Sequence, residues 1–111
     1  MMYAVVFEDD PDKAAMRARH MQEHLAFLQD HAGSVQAAGP MSEAVSGAPA
    51  GGLWLVDAAS AGEVQALVEA DPFWSTGLRK SARILLWKQV FANGERLIEP
   101  LNRPETASSR R

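Results

Sequence analysis

The chain contains no cysteine, which excludes disulfides, thiolate metal sites and a cysteine nucleophile, and fits a reducing compartment. It has no excess of basic charge. Lys and Arg number 11 against 14 Asp and Glu, a formal net charge of -3, so electrostatics gives no reason to expect nucleic acid or an anionic membrane as partner. No window approaches the roughly 18 apolar residues that a membrane span needs. The apolar start at residues 1–7 is stopped by Glu8-Asp9-Asp10 and has no basic leader. A signal peptide is therefore not expected, and the cytoplasm is the expected compartment. A P-loop, a glycine-rich nucleotide fingerprint and a Ser-His-Asp motif are also missing, and no cofactor is implied.

What is present describes an ordinary globular domain. Of 111 residues, 47% are hydrophobic and 23% charged, enough to bury roughly two-thirds of the unfolded surface in one core. Residues 2–8 read as a strand with Tyr3, Val5 and Phe7 on one face and Ala4 and Val6 on the other. Asp9-Asp10-Pro11-Asp12 is a turn poised to start a helix. Over residues 13–32, Ala14, Ala18, Met21, Leu25, Leu28 and Ala32 recur at spacings of four and three, an amphipathic helix closed by Gly33. Residues 34–38 form a short strand ending in Gly39-Pro40, and residues 41–52, rich in Gly, Ala, Ser and Pro, read as a loop. Leu53-Trp54-Leu55-Val56-Asp57 is a strand apolar on both faces. Ser60 and Glu63 form a capping box for a helix that sets Val64, Leu67 and Val68 toward the core. Asp71-Pro72-Phe73 is a turn, since Asp accepts from freed backbone N–H groups and Pro suits a first helical position. Residues 84–91 read as the last strand, with Leu85, Trp87 and Phe91 on one face and Ile84, Leu86 and Val90 on the other.

The order βαββαβ implies a ferredoxin-like α+β domain over residues 1–91, a four-stranded antiparallel sheet with two helices on one face. Residues 92–111 are a C-terminal extension, with Ala92-Asn93-Gly94 as a turn and a partly disordered tail from about Asn102. The first, third and fourth strands are apolar on both sides, Trp54 and Trp87 included. The sheet face opposite the helices therefore needs a cover, and a homodimer packed sheet on sheet supplies one.

Five motifs in order give the chain a family likeness. They are Met2-Tyr3-Ala4-Val5-Val6-Phe7-Glu8-Asp9, His24-Leu25-x-x-Leu28, Gly39-Pro40, Asp71-Pro72-Phe73 and Trp87-Lys88-Gln89-Val90-Phe91. With these the chain resembles the YciI-like (YCII-related) family over about residues 2–91. The resemblance implies the dimeric α+β barrel fold and an active-site pair of His24 and Asp71. It also implies activity on a small, cyclic or aromatic molecule, as in a dehydrochlorinase of chlorinated hydroxyquinol. Many relatives have Arg-Pro-Ala before the His, where this chain has Met21-Gln22-Glu23. If that Arg holds an anionic ligand, Arg17 or Arg19 has to replace it.

Each candidate also has a plain structural reading. His24 is either a half-buried histidine bonded to backbone or a general acid/base, since imidazole titrates near neutral pH. Asp71 is a helix cap that can also orient an imidazole, because a carboxylate has two oxygens. His20-Met21-Gln22-Glu23-His24 matches an inverted zinc-peptidase signature, yet that chemistry needs a third ligand and a large cleft, so no metal site is expected. Tyr3, Trp54, Trp74 and Trp87 are read as core or interface side chains. Two functions follow: a cofactor-independent enzyme performing elimination, isomerisation or hydrolysis with His24 and Asp71, or a non-catalytic dimeric module that binds a small ligand or a protein.

Overall fold

Tyr3, Val5 and Phe7 stand at alternate positions, the spacing that sets side chains on one face of an extended chain. In the computed structural model, which describes residues 1–98, they lie on strand β1 (Met2–Asp9) and are almost fully buried. A 3-10 turn at Pro11–Lys13, capped by the Asp10 carboxylate on the Asp12 N–H at 2.9 Å, leads into α1 (Ala15–Arg19) and α2 (Met21–Asp30). There follow β2 (Val35–Ser42), β3 (Pro49–Asp57), α3 (Ala61–Ala70), α4 (Pro72–Ser75) and β4 (Arg79–Leu86). A hairpin of β5 (Phe91–Ala92) and β6 (Glu95–Arg96) turns at Asn93-Gly94, both at positive φ as a two-residue hairpin loop requires.

The main sheet runs β2-β3-β1-β4 and every neighbouring pair is antiparallel. This is the ferredoxin-like arrangement expected from the order of elements. Val64 and Val68 of α3, with Phe27 and Leu28 of α2, pack on Tyr3, Val5, Phe7, Trp54 and Val56. The Ser60 hydroxyl accepts from the Glu63 N–H at 3.2 Å, and the Glu63 carboxylate reaches back to the Ala59 N–H at 3.4 Å, so the capping signal is used.

Three expectations are corrected. The helix over residues 13–32 is broken at His20 (φ -111°, ψ 15°), and α2 turns His24, Phe27 and Leu28 inward, leaving Leu25 47% exposed. The expected stripe assumed one continuous helix, and the break resets its phase. Second, the loop expected at residues 41–52 shrinks to 43–48, because 41–42 belong to β2 and 49–52 to β3, with Ser42 paired to Pro49 and the Glu43 N–H donating to the Ala48 carbonyl at 2.8 Å. β2 is an edge strand with little to bury, so it shows no alternation to read. Third, the last strand of the sheet is Arg79–Leu86 and not residues 84–91. Its partner β1 begins at Met2, and the Trp87 N–H on the Met2 carbonyl is the final rung.

Register places Ala4 beside Leu55 and Leu85, and Val6 beside Leu53 and Arg83, on the face away from the helices. That face is largely apolar, though Trp54 is not on it: its indole is 1% exposed and meets Phe7 edge-on at 5.0 Å. Trp87 lies beyond the strand, 39% exposed. Among the described residues no helix is long and apolar enough to cross a membrane. The tail expected from Asn102 lies outside the described residues.

The packing yields a contrast between two apolar residues. Val64→Ala should cost roughly 2 kcal/mol, two methyl-sized groups plus the space left behind. Leu25→Ala, in a half-open position, should cost under about 1 kcal/mol. Urea unfolding of both variants checks this, and a larger loss at Leu25 would refute the assigned helix phase.

Candidate active site

Asp71 ends α3 with an extended backbone (φ -68°, ψ 132°), and Pro72 opens α4 directly after it. One carboxylate oxygen, Oδ1, accepts the Phe73 N–H at 3.2 Å. The same oxygen accepts from Nδ1 of His24 at 2.7 Å, across 47 positions of sequence. The cap and the histidine contact are thus one construction: α4 fixes the carboxylate, and the carboxylate fixes the ring. A carboxylate only accepts, so Nδ1 carries a proton, and in the neutral ring Nε2 is left as an acceptor. The Phe73 ring stacks on the imidazole at 4.0 Å and 17°, which removes its remaining rotation. Both members are buried, His24 at 6% exposed and Asp71 at 1%. Asp71 Oδ2 has no hydrogen-bond partner among the described residues.

A second charged group adjoins the pair. The ladder between β1 and β4 shifts register after Glu8, where Glu8 faces Ser81 but Asp9 faces Arg79. Lys80 is the extra residue of a bulge, and the bulge turns Arg79 onto the helix side of the sheet. There its guanidinium lies 4.1 Å from the Phe7 ring centre and 5.3 Å from that of Phe73. Nη1 of Arg79 donates to Asp9 Oδ1 at 3.2 Å, while Nη2 of Arg17 donates to Asp9 Oδ2. Arg17 also approaches the Phe73 ring, 5.4 Å from its centre. Burial pushes the Arg79 guanidinium below its usual value, and the Asp9 and Asp71 carboxylates oppose that shift. A cavity of about 80 Å³ is walled by His24, Arg17, Arg79, Trp54, Leu28 and Pro40 among others. Arg17 also lines an outer cleft of about 630 Å³ that runs over Asp9, Pro11 and Leu78.

His24 and Asp71 are therefore brought together as the sequence reading expected. Of the two arginines considered for an anion, Arg17 reaches the site and Arg19 is exposed. Asp9, read only as part of a turn, is a member of the ion-pair cluster. Arg79 escaped the reading altogether, because strand alternation assigns it to the opposite face and no sequence signal marks the bulge. His20 turns outward to Glu23 (Nδ1 to Oε1, 3.0 Å), and His31 packs on Phe27. Among the described residues, no three His, Cys, Asp or Glu side chains converge as a metal site.

Comparison with known proteins adds two findings. The family model described as YCII-related domain matches residues 1–88. The fold is similar to that of 5-chloro-2-hydroxyhydroquinone dehydrochlorinase from Burkholderia phenoliruptrix, solved in complex with 2,5-dihydroxybenzoquinone. The two are 29% identical with a TM-score of 0.70, over 79% of this chain and 94% of that one. No curated protein matches the chain by sequence.

The shared oxygen makes a spectroscopic prediction. Nitrogen-15 NMR at neutral pH should find His24 as the Nδ1–H tautomer. Asp71→Asn, whose amide can also donate, should move the ring toward the Nε2–H form. A ring that is unchanged in that variant would mean the carboxylate does not hold it.

Proposed function

The chain belongs to the YCII-related domain family, and from that footing we propose that it is a small acid/base enzyme acting without a cofactor. Its substrate is a small, cyclic or aromatic organic molecule, and the reaction is an elimination, isomerisation or hydrolysis. Nε2 of His24 takes a proton from the substrate. In an elimination, the released electron pair forms the new double bond and the leaving group departs with its own bonding pair. The Asp71 carboxylate holds the imidazole in the accepting tautomer and stabilises the imidazolium that forms. The proton then passes to solvent.

The observation that carries this reading is the 2.7 Å bond from His24 Nδ1 to a fully buried carboxylate, in a histidine that also lines a cavity. A structural histidine gains little from so expensive a partner. The similar dehydrochlorinase acts on an aromatic hydroquinone, which supports the same substrate class here. One observation favours a non-catalytic binding module: Asp71 is already employed as the cap of α4.

A chloride-release assay with a chlorinated hydroxyhydroquinone separates the two. His24→Gln should lower kcat by about 10²- to 10⁴-fold with the circular dichroism spectrum unchanged. If the variant and the wild type turn over the substrate equally, His24 is not the base; if the wild type itself releases no chloride, the binding-module reading stands.

We also propose that two copies pack through the apolar sheet face carrying Ala4, Val6, Leu53, Leu55 and Leu85. An uncovered patch of that kind is unusual on a monomer. Light scattering at micromolar concentration should return twice the 12.1 kDa chain mass, and a monomer mass would reject the dimer.

A further inference from the structure

Arg79 is a charged side chain only 3% exposed, in a small domain, on a face it reaches only through a bulge. Asp9 is its one hydrogen-bond partner among the described residues, at the Nη1 corner. The buried Nε–H has no partner among the described residues. A buried guanidinium normally spends its donors, so an idle Nε is a cost that stability does not explain. Gly52 accommodates the arrangement: a Cβ there would stand 2.9 Å from Nη1 of Arg79. The same guanidinium lines the cavity that His24 lines.

We infer that Arg79 is the specificity-determining residue of this site, and that it receives an anionic oxygen of the ligand on the edge left open by Asp9. The ligand class is an organic anion bearing a carboxylate or an ionised ring hydroxyl. A planar guanidinium suits such a group, because two adjacent N–H donors meet it side by side. The charge count around the cavity agrees. Arg17 and Arg79 against Asp9 and Asp71 sum to zero, so a proton accepted by His24 leaves one positive charge in excess. In an isomerisation that excess matches an enolate oxygen, on which the electron pair rests once His24 has removed the proton. This deepens the acid/base reading and rests on it for the catalytic use of the anion, but the binding itself is measurable without turnover.

The experiment titrates the full chain with benzoate and with 2,5-dihydroxybenzoquinone as preformed anions, and with benzyl alcohol as a neutral ring. Affinity is read from amide shifts around the cavity. In the wild type the Arg79 Nε–H cross-peak should move with at least one of the anions and stay in place with the alcohol. Movement with benzoate alone assigns the site to carboxylates, and movement with the quinone alone assigns it to ionised ring hydroxyls. Arg79→Lys keeps the charge and loses the fork, and should weaken the bound anion about tenfold while leaving the alcohol unchanged. Gly52→Ala pushes the guanidinium aside without altering charge and should weaken the same anion, which keeps the test available if the lysine variant does not fold. The chloride-release assay reads the acid/base chemistry and the Arg79 Nε–H titration reads the anion site, so failure of the one and failure of the other give different results. The inference is overturned if no anion shifts the Arg79 Nε–H up to millimolar concentration, or if the folded variants weaken anion and alcohol equally.

Discussion

One oxygen atom, Oδ1 of Asp71, joins the two halves of this domain. It accepts from α4, immediately ahead in sequence, and from His24 of α2, 47 positions earlier. Burying a carboxylate costs several kcal/mol unless charge-assisted hydrogen bonds replace the lost water. Two such bonds are present, and both partners are themselves held: the Phe73 N–H by the helix and the His24 ring by stacking on Phe73. The geometry of His24 is thus set by the rigid part of the fold and not by a mobile loop, the condition under which a proton-transfer group retains its aim.

The Phe73 ring plays a comparable part for the arginines. His24 stacks against it, while Arg17 and Arg79 approach it at 5.4 and 5.3 Å. Guanidinium groups are weakly hydrated and lie well against aromatic faces, so one fully buried side chain lets three polar groups gather in little space. Asp9 then ties the arginines together.

Much of this was legible in the residues. The alternation of Tyr3, Val5 and Phe7, the box of Ser60 and Glu63, and the Asp-Pro pair at 71–72 each report a local rule that the fold obeys. The pairing of His24 with Asp71 came from family likeness, since no local rule connects positions so far apart. Where reading failed, a nonlocal constraint had overridden the local pattern. The break at His20 moved the buried face from Leu25 to His24, and Trp54 went to the core because β3 is a central strand under the helices. Arg79 was hidden by a single extra residue, Lys80, that inverts strand parity. A bulge of that kind follows from the needs of the partner strand and leaves no mark in the alternation itself.

The position of β1 also bears on how the chain acquires its structure. This first strand lies in the interior of the sheet, yet its two neighbours are drawn from residues 52–57 and 79–86. During synthesis, at about 5–20 residues per second, its backbone donors and its apolar face wait several seconds before the second neighbour is made. Pairings so distant in sequence slow folding relative to a helical domain of the same size. The nascent chain is therefore at its most association-prone just before its last strand appears, when a second copy at the same stage offers the same unfilled edge.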